Sequence, residues 1–163
     1  MIKDSLIGEL KFESGNTRKI LEKVPADKSD WKPHEKSMKL GRLAMHIAET
    51  PFWISEILSS DDFDFASRKF GALTAEGAEN AASVFQKNYD RALADLSNAS
   101  DDELNKKWVV RFGEKVMYDT PKKVAIRGFA FNHLVHHRGQ LSVYLRLLDI
   151  AVPGMYGPSA DEK

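Results

Sequence analysis

The chain has 163 residues, is 42% hydrophobic, and carries 24 basic and 24 acidic side chains, for a formal net charge of zero. That size and hydrophobic fraction suit one folded domain, residues 1–163, and argue against disorder, while the charge balance offers nucleic acid or an anionic membrane no electrostatic hold. There is no cysteine, which excludes disulfides, thiolate ligands and a cysteine nucleophile, and no apolar run reaches the ~18 residues of a membrane span.

In chain order, the pattern predicts four helices and one hairpin. The N-terminus MIKDSLIGEL lacks the apolar block of a signal peptide, so a cytoplasmic location is the default expectation. Leu6, Leu10, Thr17, Ile20, Leu21 and Val24 lie near helical spacing and predict a first helix over about residues 3 to 24, with the weak helix formers GNT in its middle. VPADKSDWKPHEK reads as a loop. A second helix starts near Ser37 or Met38, with Ser37 as N-cap, and runs through LGRLAMHIAETPFWISEIL. Pro51 falls inside it and predicts a kink or break, because proline lacks an N–H and clashes with the carbonyl four residues back.

A third helix is predicted over about 75 to 97, with Thr74 as N-cap and a stripe of Ala78, Ala81, Phe85, Tyr89, Ala92 and Leu96. The period then changes. WVVRFGEKVMYD is rich in β-formers, and glycine at the first position of Gly113-Glu114 suits a type II′ turn. Helix four is predicted from Pro121, with Thr120 as N-cap, to about Asp149. The tail AVPGMYGPSADEK is loop-like. The expected fold class is all-α, with a small hairpin inserted between helices three and four.

Three of the five histidines lie in FNHLVHHRGQL, residues 131 to 141. At about 100° per helical residue, Ile126, Ala130, Tyr144 and Leu148 fall within roughly 20° of His137, and His133 and Leu141 within roughly 40°. His133 and His137 therefore face the core. His136 lies about 100° away, on a lateral strip with Phe129, Val143 and Leu147 that suits a neighbouring helix or another subunit. On helix two, His46 shares its face with Thr50, Trp53 and Ile57 and also points inward. Buried imidazoles must satisfy both ring nitrogens. Three of them from two helices can converge on one ion, leaving coordination positions open for water or substrate. A lone core histidine is more often a hydrogen-bonded packing residue, so the pair and the third member together carry the metal reading. His34, in the loop WKPHEK, reads as solvated.

DWKPHEKSMKLGRLAMHIAETPFWI and FNHLVHHRGQLSVYLRLLDIAVPGMYGPS together resemble the DinB family, the DinB/YfiT-like metalloenzymes. The most specific piece is HxxxHRGQ, preceded by the lone histidine of LxxHIA. The resemblance implies a four-helix bundle with long crossover connections, frequent homodimerisation, and a divalent metal on His46, His133 and His137. Nickel, zinc, iron, manganese or copper would suit such a site. The resemblance also implies a small-molecule substrate, either with a low-molecular-weight thiol as co-substrate of a transferase or with water in a hydrolase. A non-catalytic metal-binding or stress-response protein is the alternative.

Around the triad, Glu49 lies about 60° from His46 on the helix wheel. It could accept the ring N–H of a ligand or serve as a general base, against the plainer reading of a partly solvated carboxylate. Gln140, one turn after His137, could bond a ligand or a neighbouring helix. Arg138, about 100° off the ligand face, is expected in packing or an ion pair, and Asn132 is expected to point elsewhere. Trp53 and Tyr144 lie on the ligand stripes as core or pocket wall, and Tyr156 could fold back over the open end of the bundle. There is no glycine-rich phosphate loop, no G-x-S-x-G elbow and no H-E-x-x-H.

Overall fold

The computed structural model describes residues 1–67 and 80–162. These are mostly helical, with one small sheet. In order they are α1 (Ile2–Leu21), a 3-10 turn (Ala26–Lys28), α2 (Leu40–Glu49), α3 (Phe52–Ser59), β1 (Asp62–Asp64), α4 (Ala81–Asn98), α5 (Asp101–Asn105), β2 (Lys107–Phe112), β3 (Lys115–Pro121), α6 (Lys122–Ile126), a π-helical stretch (Arg127–Asn132) and α7 (His133–Leu147). The last three follow one another without interruption. Thr74, Ala78 and the predicted start of helix three lie outside the described residues.

The α1 helix runs through GNT because tertiary burial outweighs weak propensity. Ser14, Asn16 and Thr17 are all buried, and the Thr17 hydroxyl donates to the Glu13 carbonyl at 2.8 Å. The helix ends at Leu21 rather than near Val24. Its first N–H groups are capped from afar, since Ile2 and Lys3 each donate to the Asp101 carboxylate at 3.0 Å.

Ser37 does not cap α2, which begins at Leu40 with no side-chain cap. The loop carbonyls do that work instead. Leu40 N–H donates to Trp31 O at 2.8 Å and Gly41 N–H to Ser29 O at 2.9 Å. A Cβ on Gly41 would stand 3.0 Å from the Cβ of Ser29, so this close approach favours glycine. At Pro51 the helix breaks. The Ile47 carbonyl, which lacks a Pro51 N–H to bond, accepts the Thr50 hydroxyl at 2.7 Å. The Ala48 carbonyl accepts the Asn88 amide of α4 at 2.9 Å.

The hairpin forms around Gly113-Glu114, flanked by the Phe112–Lys115 pair, with Gly113 at φ +58°. It belongs to a larger unit than the sequence suggests. Strand β1 pairs in parallel with β2, giving a three-stranded sheet in the order β1-β2-β3. The Gly113 N–H donates to Asp64 Oδ1 at 2.9 Å, tying the turn to β1. Helix α5 lies between the predicted helix three and the hairpin, where Ser100 and Glu103 carry the spacing of a capping box. The Ser100 hydroxyl accepts the Glu103 N–H at 3.0 Å.

Pro121 is not the first residue of a helix. It is the last residue of β3, paired with Lys107, and the helix starts at Lys122. Its extended backbone, φ −58° and ψ 143°, suits the strand end. At the other end α7 stops at Leu147, and Asp149 enters the left-handed region at φ 57°. Ile150 N–H then bonds Leu145 O, and Asp149 N–H bonds Arg146 O, the paired closure of a Schellman motif.

Helix α4 packs on α1, α2 and α3, while α7 packs on α1 and α2. Leu10, Ile20, Leu43, Ile47, Phe85 and Leu141 are among the fully buried side chains between them. Beside the sheet, Trp53, Phe63, Phe65, Trp108 and Phe129 form an aromatic cluster with centroids 4.9–6.4 Å apart. No helix among the described residues is long and apolar enough to cross a membrane.

Candidate metal centre

Packing of α2 against α7 brings His46 to His133 and His137. His46 Nε2 is 3.1 Å from His133 Nε2 and 3.1 Å from His137 Nε2. The three ligand atoms lie within 4.8 Å of one another and could hold a metal ion. His137 is buried, and His46 and His133 are half-buried.

The opposite side of each ring fixes what the Nε2 atoms can be. His137 Nδ1 is 2.8 Å from Gln140 Oε1, and His133 Nδ1 is 3.3 Å from the Phe129 carbonyl oxygen. His46 Nδ1 faces Glu49 Oε2 at 3.8 Å. Hydrogen-bonding oxygens at Nδ1 of His133 and His137, with the Glu49 carboxylate near that of His46, favour the tautomer with the proton there. Three Nε2 lone pairs then meet at one point, where neutral rings repel unless a cation sits among them. The donor set therefore fits a metal ion. Burial pushes the His137 imidazole down to about 4 and also lowers His133, so both rings are neutral at neutral pH.

Glu49 is buried on the same helix face. Its Oε2 accepts from Arg42 Nη1 at 3.1 Å, while its Oε1 has no hydrogen-bond partner among the described residues. Gln140 also donates through Nε2 to His136 Nε2 at 3.1 Å. His136 is exposed and stacks edge-on to His137, with centroids 4.8 Å apart. His34 is exposed in its loop, where its Nδ1 accepts the Lys36 N–H at 3.1 Å.

The remaining candidates are spread around this centre. Trp53 sits in the aromatic cluster, 5.5 Å from the Phe129 ring. Tyr144 is edge-on to Trp31 at 5.6 Å and donates to the Met38 carbonyl at 3.2 Å, bracing the loop before α2. Tyr156 folds back from the tail, but onto Arg138 and Glu13 rather than onto the histidines. Arg138 is buried and bonds the Glu13 carboxylate, the Glu13 carbonyl and the Thr17 hydroxyl. This cluster stitches α7, α1 and the tail together.

A groove of about 570 Å³ opens beside His133, and both Asn132 and His136 line it. Asn132 lines this groove, whereas His46 and His137 do not. It ends the π-helical stretch, where the count of 100° per residue does not hold. Other lining residues, such as Tyr118 and Thr120, come from β3. That strand runs directly into α6, so chain continuity sets them beside the helix, but no local motif marks them as lining a groove.

The DinB family pattern matches residues 2–163. The chain belongs to the DinB family. Two Bacillus subtilis (strain 168) relatives are the uncharacterized proteins YrdA and YjoA. YrdA is 23% identical over 159 residues, covering 98% of this chain and 90% of that protein. YjoA is 27% identical over 133 residues, covering 80% of each. In fold, the crystal structure of the DinB-like YjoA matches with a TM-score of 0.72 at 17% identity, over 95% of this chain and 99% of that one. A DinB-like protein from Bacillus cereus ATCC 10987 matches with 0.69 at 24% identity, over 90% and 92%. These likenesses establish the DinB-like fold.

Proposed function

We propose that this DinB protein is a metal-dependent enzyme acting on a small molecule, as a thiol-dependent transferase or a hydrolase. The observation that supports it is the convergence of three Nε2 atoms whose partner nitrogens all face oxygen acceptors. His46, His133 and His137 would hold the ion, which when bound supplies Lewis acidity toward a water, a thiol or a carbonyl. The chain's own residues do the rest. Gln140 and the Phe129 carbonyl orient the rings of His137 and His133. Glu49 orients His46, and its unpartnered Oε1 is the candidate proton acceptor. With no cysteine in the chain, any thiol is a co-substrate.

We read residues 1–163 as a single domain. Its α1, α2–α3, α4 and α6–α7 serve as the four rods of a bundle with long crossover connections. A homodimer in the cytoplasm is the assembly and location that go with this reading. The test is elemental analysis of the freshly purified protein, followed by thiol-transfer and hydrolysis assays with the identified metal restored. The expected result is about one divalent ion per chain and turnover that depends on it. Bound metal with no turnover on any thiol or ester panel would favour the non-catalytic metal-binding alternative.

A further inference from the structure

The groove beside His133 has a chemical character of its own. Val124, Ala125 and Phe129 form an apolar wall, and Gly128 lies between them on the helical chain. Tyr118, Thr120, Asn132 and His136 supply its polar atoms. Among the described residues, no Lys, Arg, Asp or Glu lines it. The Tyr118 and Thr120 hydroxyls and the Asn132 amide have no hydrogen-bond partner among the described residues, so they are available to a ligand.

His136 is oriented through the metal centre. Gln140 Oε1 faces His137 Nδ1, which turns the Gln140 amide nitrogen toward His136 Nε2. In the neutral ring Nε2 is then the acceptor and Nδ1 carries the remaining N–H donor. A volume of about 570 Å³ lies within the usual range for small-molecule sites. A charged ligand entering it would lose water without meeting an opposite charge among the described lining residues. An uncharged, mainly apolar ligand loses little and buries its surface against the wall.

We propose that this groove is the substrate site of the metal centre, and that it takes an uncharged, mainly apolar small molecule whose single amide- or carbonyl-like group meets Asn132 and His136 beside His133. This rests on the metal-centre reading above.

The groove can be blocked cleanly. A Cβ built on Gly128 meets no heavy atom within 4 Å, so the side chain of Gly128→Leu starts into open space. Val124 is 49% exposed, so Val124→Glu places a charge on the wall without burying it. The probes are benzamide, benzoate and benzylammonium, of one size and three charges. They are titrated into zinc-reconstituted protein while the amide NMR shifts of residues 118–136 are followed.

Benzamide is expected to give saturable shifts confined to the groove, with the two charged probes at least tenfold weaker. Gly128→Leu should weaken benzamide at least tenfold with metal content unchanged. Val124→Glu should weaken benzamide and strengthen benzylammonium. Equal binding of all three probes, no saturable benzamide shift, or benzamide binding unaltered in both variants overturns the proposal. A wild-type dimer that becomes monomeric in Gly128→Leu also overturns it, because a second copy then fills the groove. Protein that takes benzamide in the groove but holds no metal removes the metal-centre reading and leaves the groove as a site. Protein that holds metal but takes no benzamide removes the groove proposal alone.

Discussion

His46 and His137 stand 91 residues apart in the chain, yet their Nε2 atoms meet at 3.1 Å. Each ring turns its other nitrogen to an oxygen acceptor, Glu49 for one and Gln140 for the other. Removing any one of the three converging imidazoles leaves two ligands. Alanine at His46, His133 or His137 should therefore reduce bound metal from about one per chain to near zero after dialysis. Alanine at His136 should leave it near the wild-type value. Elemental analysis of the four variants decides this, and full occupancy in His137→Ala would rule out the triad.

The orienting acceptors should matter less than the ligands but measurably. Gln140→Leu removes the partner of His137 Nδ1, and Glu49→Gln weakens the acceptor facing His46. Loss of such partners typically lowers metal affinity by about 10- to 100-fold. Competition against a chelator of known affinity reads this directly. An unchanged affinity in both variants would mean that the rings are held by packing alone.

Arg138 and Glu13 form a buried ion pair between α7 and α1, and both residues are more than nine-tenths buried. Arg138→Met leaves the Glu13 carboxylate buried without its partner, a loss of about 3–5 kcal/mol. Replacing both by methionine should restore much of that, because a packed apolar pair avoids the desolvation penalty. Urea unfolding of the single and double variants gives both numbers. A single variant as stable as wild type would show that water reaches the site.

The tail has its own pH dependence. Hydrogen bonds from Arg146 and from the Val152 N–H hold the Asp161 carboxyl down at about 2, below its ordinary value of 3.8. A depressed folded-state value contributes stability that is fully present above the unfolded value and is lost as pH falls through the folded one. Docking of residues 152–162 should therefore be intact above about pH 4 and weaken toward pH 2. Protection of the Val152 amide from hydrogen exchange tracks it. In Asp161→Asn that protection should be low throughout and should no longer change across this window.

Much of the centre was legible in the sequence because it depends on local geometry. Spacings of three and four residues on a helix decide which side chains share a face. That separated His133 and His137 from His136 and set Arg138 off the ligand face, in packing or an ion pair. Proline chemistry broke the second helix at Pro51, and a glycine at the first turn position marked the Gly113-Glu114 hairpin.

Tertiary structure alone decided what depends on segments far apart in the chain. The pairing of β1 with β2 across some 47 residues carries no local signal. The same holds for Arg138 reaching Glu13 over 125 residues and for Tyr156 joining them. The π-helical stretch Arg127–Asn132 interrupts the regular count per residue. It accompanies a groove beside His133 that the wheel did not anticipate. Periodicity, in short-range form, selects the face a histidine occupies, whereas the meeting of His133 and His137 with His46, 87 and 91 residues away in the chain, is decided only by the folded packing of α2 on α7.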